Sequence, residues 1–444
     1  MRVLRRFIIF LACAPAAWSQ WPTTPGLTNK PVPYSSTITV PEANVPTVNV
    51  PQVTTIEIPV AGAPLPPIQR STPAPTISPF KPSAAIPNPT TSDIARRNVQ
   101  FTAPTQQFTA PTVTQKALPP NPSTKTTPTA APSPAAKPLP PIYSPVPFNT
   151  PEADAILAAM QIFPADNLWH ADISQWPVYP KSAQIIGAVG SGRPLEANQD
   201  MGFIIVPKDA PHTGVKLAYL GESDLGPYPL PSHVPIEGWP VAYKRSKRLR
   251  SLTLDDVQRD ALNLGGDRHA IVVDPYNQKL YEFYAMRKTT QGWEAAQASI
   301  FDLSSNKLRP DGWTSSDAAG LPIFPAVVRY DELMRGEIDH ALRVTVPQSR
   351  RAYVTPATHF ASELTDENLP RMGERFRLRQ NYYIENFSPM VQTILKALKK
   401  YGMFVADNGA IFAISVAPDE RIPLVLDELN RLTVADFEVV TAPH

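Results

Sequence analysis

Gly265 to Tyr284 reads GGDRHAIVVDPYNQKLYEFY. A charged cluster, Asp267-Arg268-His269, opens it. Ile271 and Val273 then alternate with Ala270 and Val272, Asp274-Pro275-Tyr276-Asn277 breaks the run, and Leu280, Tyr281, Phe283 and Tyr284 resume it. Two short β-rich runs around a turn of Asp, Pro and Asn predict a β-hairpin. Its apolar ribbon has polar chemistry at one end.

Working outward, the pattern stays strand-rich. Phe203 to Val206, Val215 to Tyr219, Gln297 to Leu303, Arg375 to Leu378 and Phe437 to Val440 read as strands. His340 to Val346 and Arg351 to Thr355 read as a second hairpin around Pro347-Gln348-Ser349. Met403 to Ala406 and Ile411 to Val416 read as a third, with Asn408-Gly409 as a type I′ turn. Helical signals are fewer. Thr150 to Met160 carries a capping Thr, Pro151 and early acids. Pro389 to Lys400 sets Val391, Ile394, Leu395 and Leu398 on one stripe, with Gly402 as the stop. Tyr330 to Arg335 and Pro423 to Leu432 are shorter, and Ser182 to Val189 fits either a helix or a strand. The expected fold is mainly β (α+β): a β-sandwich or jelly roll with a few appended helices.

The 444 residues divide unevenly. Met1 to Ser19 has the form of a secretory signal, with Arg2, Arg5 and Arg6, a short apolar core and Ala17-Trp18-Ser19. Cys13 offers an alternative acylation site and is the only cysteine. Residues 20–150 hold 30 of the 54 prolines, two glycines and eleven charged residues. Such a segment buries too little apolar surface to offset its chain entropy and reads as a disordered Pro/Thr-rich stalk. Residues 151–444 form the expected β-rich domain. Its 30 basic and 36 acidic residues give −6 on a basic stalk, which argues against nucleic acid as its ligand. No run is apolar and long enough for a transmembrane helix. The chain is expected to be secreted or extracytoplasmic (periplasm or cell surface) and monomeric.

Several pieces form a specific set: FPADNLWHADIS, ESDLGPYPLP with PIEGW, GDRHAIVVD with LYEFY, FDLSSNKLRPDGWTSSDAAGLPIFP, IDHALRVTVP with YVTPATHFAS, and ALKKYGMFVADNG. On these, Phe163 to Val440 resembles a family of uncharacterised secreted bacterial proteins. The resemblance implies membership and export, and it attaches no activity.

HExxH, GxSxG, GxGxxG, P-loop and EF-hand signatures are absent, so the chemistry must be sought in scattered residues. Asp267 and His269 are two apart and share a strand face, so Asp can orient His or both can bind a metal or a sugar hydroxyl; equally, they cap the strand and pack. Trp313 in the loop Asn306 to Pro325 can stack on a sugar ring, with Asp311 or Asp317 as acid or base; equally, the two Asp fix turns. Glu222, Asp224 and Glu237 lie in Pro-rich loops beside Tyr228 and Trp239, a composition that suits carbohydrate or loop-fixing alike. His340, Tyr353 and His359 with Arg343 or Arg351 suit a polysaccharide lyase, where a cation neutralises a uronate. His340 also falls in phase with Leu342, Val344 and Val346, which suits a buried structural role.

The expected function is thus an exported carbohydrate-active domain, a hydrolase or lyase on envelope or environmental polysaccharide. The alternative is a non-catalytic glycan-binding or structural surface module. Asp317, Asp267, His269, His340 and His359 are the candidate catalytic residues, and Trp313, Asp311, Glu222, Asp224, Trp239, Tyr353 and Arg343 the candidate binding residues. The expected partner is a polysaccharide or cell-wall polymer, with no cofactor and no metal.

Overall fold

The computed structural model describes residues 138–442, so the expected signal and most of the stalk lie outside the described residues. The fold is mainly β with few helices. In chain order the strands are β1 Val146–Pro147, β2 Leu195–Gln199, β3 Ile204–Ile205, β4 Val215–Leu217, β5 Ala270–Asp274, β6 Lys279–Tyr284, β7 Arg287–Thr289, β8 Gly292–Ala295, β9 Gln297–Asp302, β10 Leu342–Val346, β11 Arg375–Leu378, β12 Met403–Asn408, β13 Phe412–Val416 and β14 Phe437–Val440. They form a five-stranded sheet (β1-β3-β5-β6-β9), a six-stranded sheet (β14-β11-β12-β10-β13-β2) and a three-stranded sheet (β4-β8-β7). All three sheets are mixed: β3/β5, β4/β8, β10/β12 and β2/β13 pair in parallel.

The opening hairpin forms as its alternation requires. β5 and β6 pair antiparallel, with Val273 opposite Leu280 and Ala270 opposite Phe283, and β9 continues the sheet beyond β6. Asp274 accepts from the backbone N–H of Asn277 at 3.0 Å and so builds the turn. Both faces are buried. Ile271, Val273, Leu280 and Phe301 enter one core together with Leu342, Val344 and Ile414 of the six-stranded sheet. Ala270, Val272, Tyr281 and Phe283 enter a second core with Tyr228, Ile236 and Trp293. Burial on both sides explains the near-continuous apolar run in β5.

Six α-helices lie among the described residues: α1 Pro151–Leu157, α2 Ser182–Val189, α3 Val241–Arg245, α4 Leu254–Arg259, α5 Tyr330–Arg335 and α6 Pro389–Lys400. Thr150 caps α1 by accepting from the Ala153 N–H at 3.2 Å. Gly336 ends α5 in the left-handed region at φ 76°. Ser388 stands at the start of α6 without a side-chain cap bond. The expected stripe Val391, Ile394, Leu395 and Leu398 is fully buried. The fold also takes in residues ahead of Pro151, because Ile142, Val146 and Phe148 are buried in the larger core.

Two expected hairpins are replaced. The second hairpin does not form: residues 351–355 hold no strand, and Tyr353 makes only an isolated bridge to Met372. The third does not form either, because β10 lies between β12 and β13. β10 pairs parallel with β12, Leu342 opposite Met403, and antiparallel with β13, Val344 opposite Ile414. A strand apolar enough to be buried throughout takes the centre of the sheet and displaces the local pairing. Asn408 and Gly409 lack the positive φ that a type I′ turn requires. The helix expected over Pro423 to Leu432 does form, as the 3-10 helix Leu424–Arg431.

Candidate functional site: a polar seam between the sheets

The two-residue period of the hairpin sheet builds the site. Along β6, Leu280, Glu282 and Tyr284 share a face; along β9, Phe301, Ser299 and Gln297 do. Tyr284 sits opposite Gln297 and Glu282 opposite both Ser299 and Ile271. His269, two residues before Ile271, extends the same face. The face is therefore apolar at one end and polar at the other.

The loop 306–325 covers that polar end and ties it to the six-stranded sheet. Glu282 accepts from the backbone N–H groups of Ile323 and Phe324 at 2.8–3.0 Å. Ser316 Oγ donates to Gln297 Oε1 at 3.4 Å. Asp317, with no exposed surface, accepts two bonds from Arg343: Nε to Oδ2 at 2.8 Å and Nη2 to Oδ1 at 2.6 Å. Arg343 Nη1 donates to Ser415 Oγ at 2.7 Å, and Ser415 Oγ donates to Asp200 Oδ2 at 3.3 Å. Asn198 Nδ2 reaches the same Asp200 oxygen at 2.7 Å. The loop is held shut at Gly320, φ 74°, where a Cβ would lie 2.1 Å from Thr358 Oγ1 and 2.7 Å from Trp313 O.

Acids outnumber bases here, and the electrostatics follow. Burial pushes Asp200 up to about 7, with Arg343 opposing. Burial pushes Glu237 up to about 8, and the charges of Asp267 and Asp200 add to this. Glu282 rises to about 8 through burial, against its two backbone donors. Asp407 rises to about 8 through burial and the Asp317 charge. Burial lowers the His269 imidazole, although Asp267 and Asp317 favour its charged form. Asp267 is exposed, while Glu237 and Asp407 are half-buried, which places the mouth of the seam among them. Burial thus favours the protonated form of the acids inside the seam, and Asp267 stands exposed at its mouth.

The Glu237 turn draws three of these groups together. Glu237 N–H donates to His269 O at 2.8 Å, and His269 N–H lies 3.4 Å from Glu237 Oε2. The next residue, Gly238, donates its N–H to Asp200 O at 2.7 Å. Asp200 Oδ1 and His269 Nδ1 are buried with no hydrogen-bond partner.

Of the expected residues, the seam unites Asp317, Asp267, His269 and Arg343. Trp239 adjoins it in sequence, two residues after Glu237, and packs on Tyr243 at 5.8 Å. The others lie elsewhere. His340 is buried against Glu332, Nε2 to Oε1 at 2.8 Å. His359 meets Ala318 O through Nδ1 at 3.0 Å and stacks on Phe360 at 5.3 Å. Glu222 accepts from Thr314 N–H at 3.3 Å, and Asp224 from Ile300 N–H at 2.9 Å and from Arg309. Tyr353 donates to Asp311 at 2.7 Å, and Trp313 lies under Arg309 at 5.6 Å. These contacts fasten the long loop. A surface cavity of about 270 Å³ lies between Phe163, Trp169, Phe301, Asn306, Arg309 and Pro356, and none of the seam acids lines it.

Asp200, Glu282 and Asp407 are seam residues that the sequence reading missed. Glu282 did carry a signal, since it falls in phase with Leu280 on a buried strand face. Among the described residues, Glu332, Asp339 and His340 bring ligand atoms within 4.8 Å of one another, but Glu332 is already engaged by Arg329 and His340. Compared with known proteins, the chain matches no family model, no curated protein and no solved structure.

Proposed function

We propose that the chain is an exported carbohydrate-active domain, a hydrolase or lyase acting on envelope or environmental polysaccharide. The observation that carries this reading is the convergence of Glu237, His269 and Asp200 on one turn next to the exposed Asp267, with burial raising the Glu237 and Asp407 carboxyls. Acid–base cleavage of a glycan needs one carboxyl that donates a proton and one that stays ionised. Glu237 is the proposed acid and Asp267 the proposed base or nucleophile, while Asp317 and Arg343 position the seam. The layering of the two larger sheets as a sandwich, with the seam between them, belongs to this proposal. So do secretion to the periplasm or cell surface and action as a monomer on polysaccharide rather than nucleic acid.

One observation favours the second reading, a non-catalytic glycan-binding or structural module presented on the Pro-rich stalk. Asp317 and Arg343 are almost wholly buried, as a purely structural ion pair would be. Incubating the full chain with a polysaccharide panel separates the two. Reducing ends are counted and unsaturated-uronate absorbance is read. Turnover that Glu237→Gln abolishes while folding is kept supports the enzyme. Retention on glycan without turnover supports the module.

A further inference from the structure

We infer that the seam recognises an uncharged sugar through its hydroxyl groups, and not a uronate. This names the substrate class of the site proposed above, rests on that carbohydrate reading and keeps its hydrolase form, because a lyase acts on a uronate. Three observations carry it.

The first is the commitment of the cation. Arg343 acts on Asp200, Glu237, Glu282 and Asp407 alike. Its guanidinium already holds both oxygens of Asp317 and the hydroxyl of Ser415. Neutralising a uronate would require Arg343 to leave Asp317, which would strand a carboxylate with no exposed surface. The nearby Arg268 is also committed, to the backbone oxygens of Met286, Val257 and Gln258 at 2.7–3.1 Å.

The second is the sign of the mouth. Asp267 is exposed, and after burial, the larger cause, its charge helps raise Glu237 and Tyr284 and, behind that of Asp317, Asp407. A substrate carboxylate there would meet the same repulsion.

The third is the pair of unpartnered atoms. Asp200 is 6% exposed and His269 4%, yet Asp200 Oδ1 and His269 Nδ1 have no hydrogen-bond partner. Consecutive residues, Glu237 and Gly238, bond the two backbones at 2.8 and 2.7 Å, so both residues are held to the turn that carries the proposed acid. A carboxyl oxygen and an imidazole nitrogen together want a group that both donates and accepts. A hydroxyl does both.

The test applies the full chain to affinity gels of neutral glycans (xylan, mannan, galactan, β-glucan) and of polyuronates (polygalacturonate, alginate) at low salt. The chain is expected to be retarded by at least one neutral polymer and by no polyuronate. Asp200→Asn and His269→Gln are each expected to weaken neutral-glycan binding about tenfold, the loss of one buried hydrogen bond. Because a core variant can fail to fold, Asp267→Lys is run beside them. This residue is exposed, and the lysine supplies the missing cation, so measurable polyuronate binding should appear. Polyuronate binding by the unaltered chain overturns this inference and leaves the carbohydrate reading standing. Binding of neither polymer class removes both.

Discussion

Two buried ionic clusters in this molecule use the same residue types to opposite effect. In the first, at α5, Glu332 is ion-paired with Arg329 and His340, and Asp331 with Arg335 at 3.2 Å. Burial pushes Glu332 up, but the charges of Arg329 and His340 outweigh it and bring the carboxyl down to about 2. The neighbouring Asp331 still rises, because burial there outweighs Arg329 and Arg335. In the second, the seam, Arg343 faces Asp200, Glu237, Glu282, Asp317 and Asp407, and four of these rise to about 7 or 8. Burial alone therefore does not set the sign; its balance against charge at each carboxyl does. A balanced cluster is an anchor. An unbalanced one stores protons, and perturbed carboxyls at a half-open mouth are what acid–base chemistry uses.

The largest expected effect breaks both clusters alike. Arg343→Ala and Glu332→Ala each strand buried charge and should destabilise by about 3–5 kcal/mol in urea unfolding. The isosteric changes then separate them. Glu332→Gln removes an ionised group and should cost nearly as much as the alanine. Glu282→Gln mimics a group already protonated and should cost little near neutral pH.

The next effect is in pH. Asp200, Glu237, Glu282 and Asp407 bind protons more tightly when folded, so their contribution is complete below about pH 4 and is lost as pH rises through 7 to 8. Glu332 behaves oppositely, contributing above its ordinary 4.5 and losing that contribution as pH falls towards 2. Thermal unfolding should therefore show greatest stability near about pH 4 to 5 and a progressive decline towards about pH 9. Glu282→Gln should remove roughly a quarter of that alkaline decline, the share of one of four carboxyls, and leave the acid limb unchanged; an unaltered decline would show that Glu282 holds no such proton. The smallest effect lies outside both clusters. Lys244 and Glu420, 2.6 Å apart and both about half-exposed, should be separable by Glu420→Ala with no resolvable change in midpoint.

What could be read from the residues follows the range of the forces involved. The hairpin was legible because alternation and turn chemistry are local. The position of β10 between β12 and β13 was not, because pairing across some 60 residues leaves no mark in either segment. Asp267, His269, Asp317 and Arg343 were found as chemistry-bearing types near strand or loop ends. Asp200 and Asp407 were not, since an acid at a strand end reads as a turn until the fold sets it against Arg343. Glu222, Asp224 and Asp311 carried two readings. Beside aromatic residues they suggested sugar ligands, but each is spent on a hydrogen bond that fastens a loop. His340 followed its phase with Leu342 into the interior, where Glu332 receives it.

The seam's capacity to hold protons is tested most directly by following Asp and Glu side-chain carboxyl carbons by NMR as pH is raised. The expected result is a small set of carboxyls that titrate at about 7 to 8, one of which disappears in Glu237→Gln. If every side-chain carboxyl of the folded chain titrates below about pH 5, where ordinary carboxyls do, the seam is an ordinary ion-pair network and the account fails.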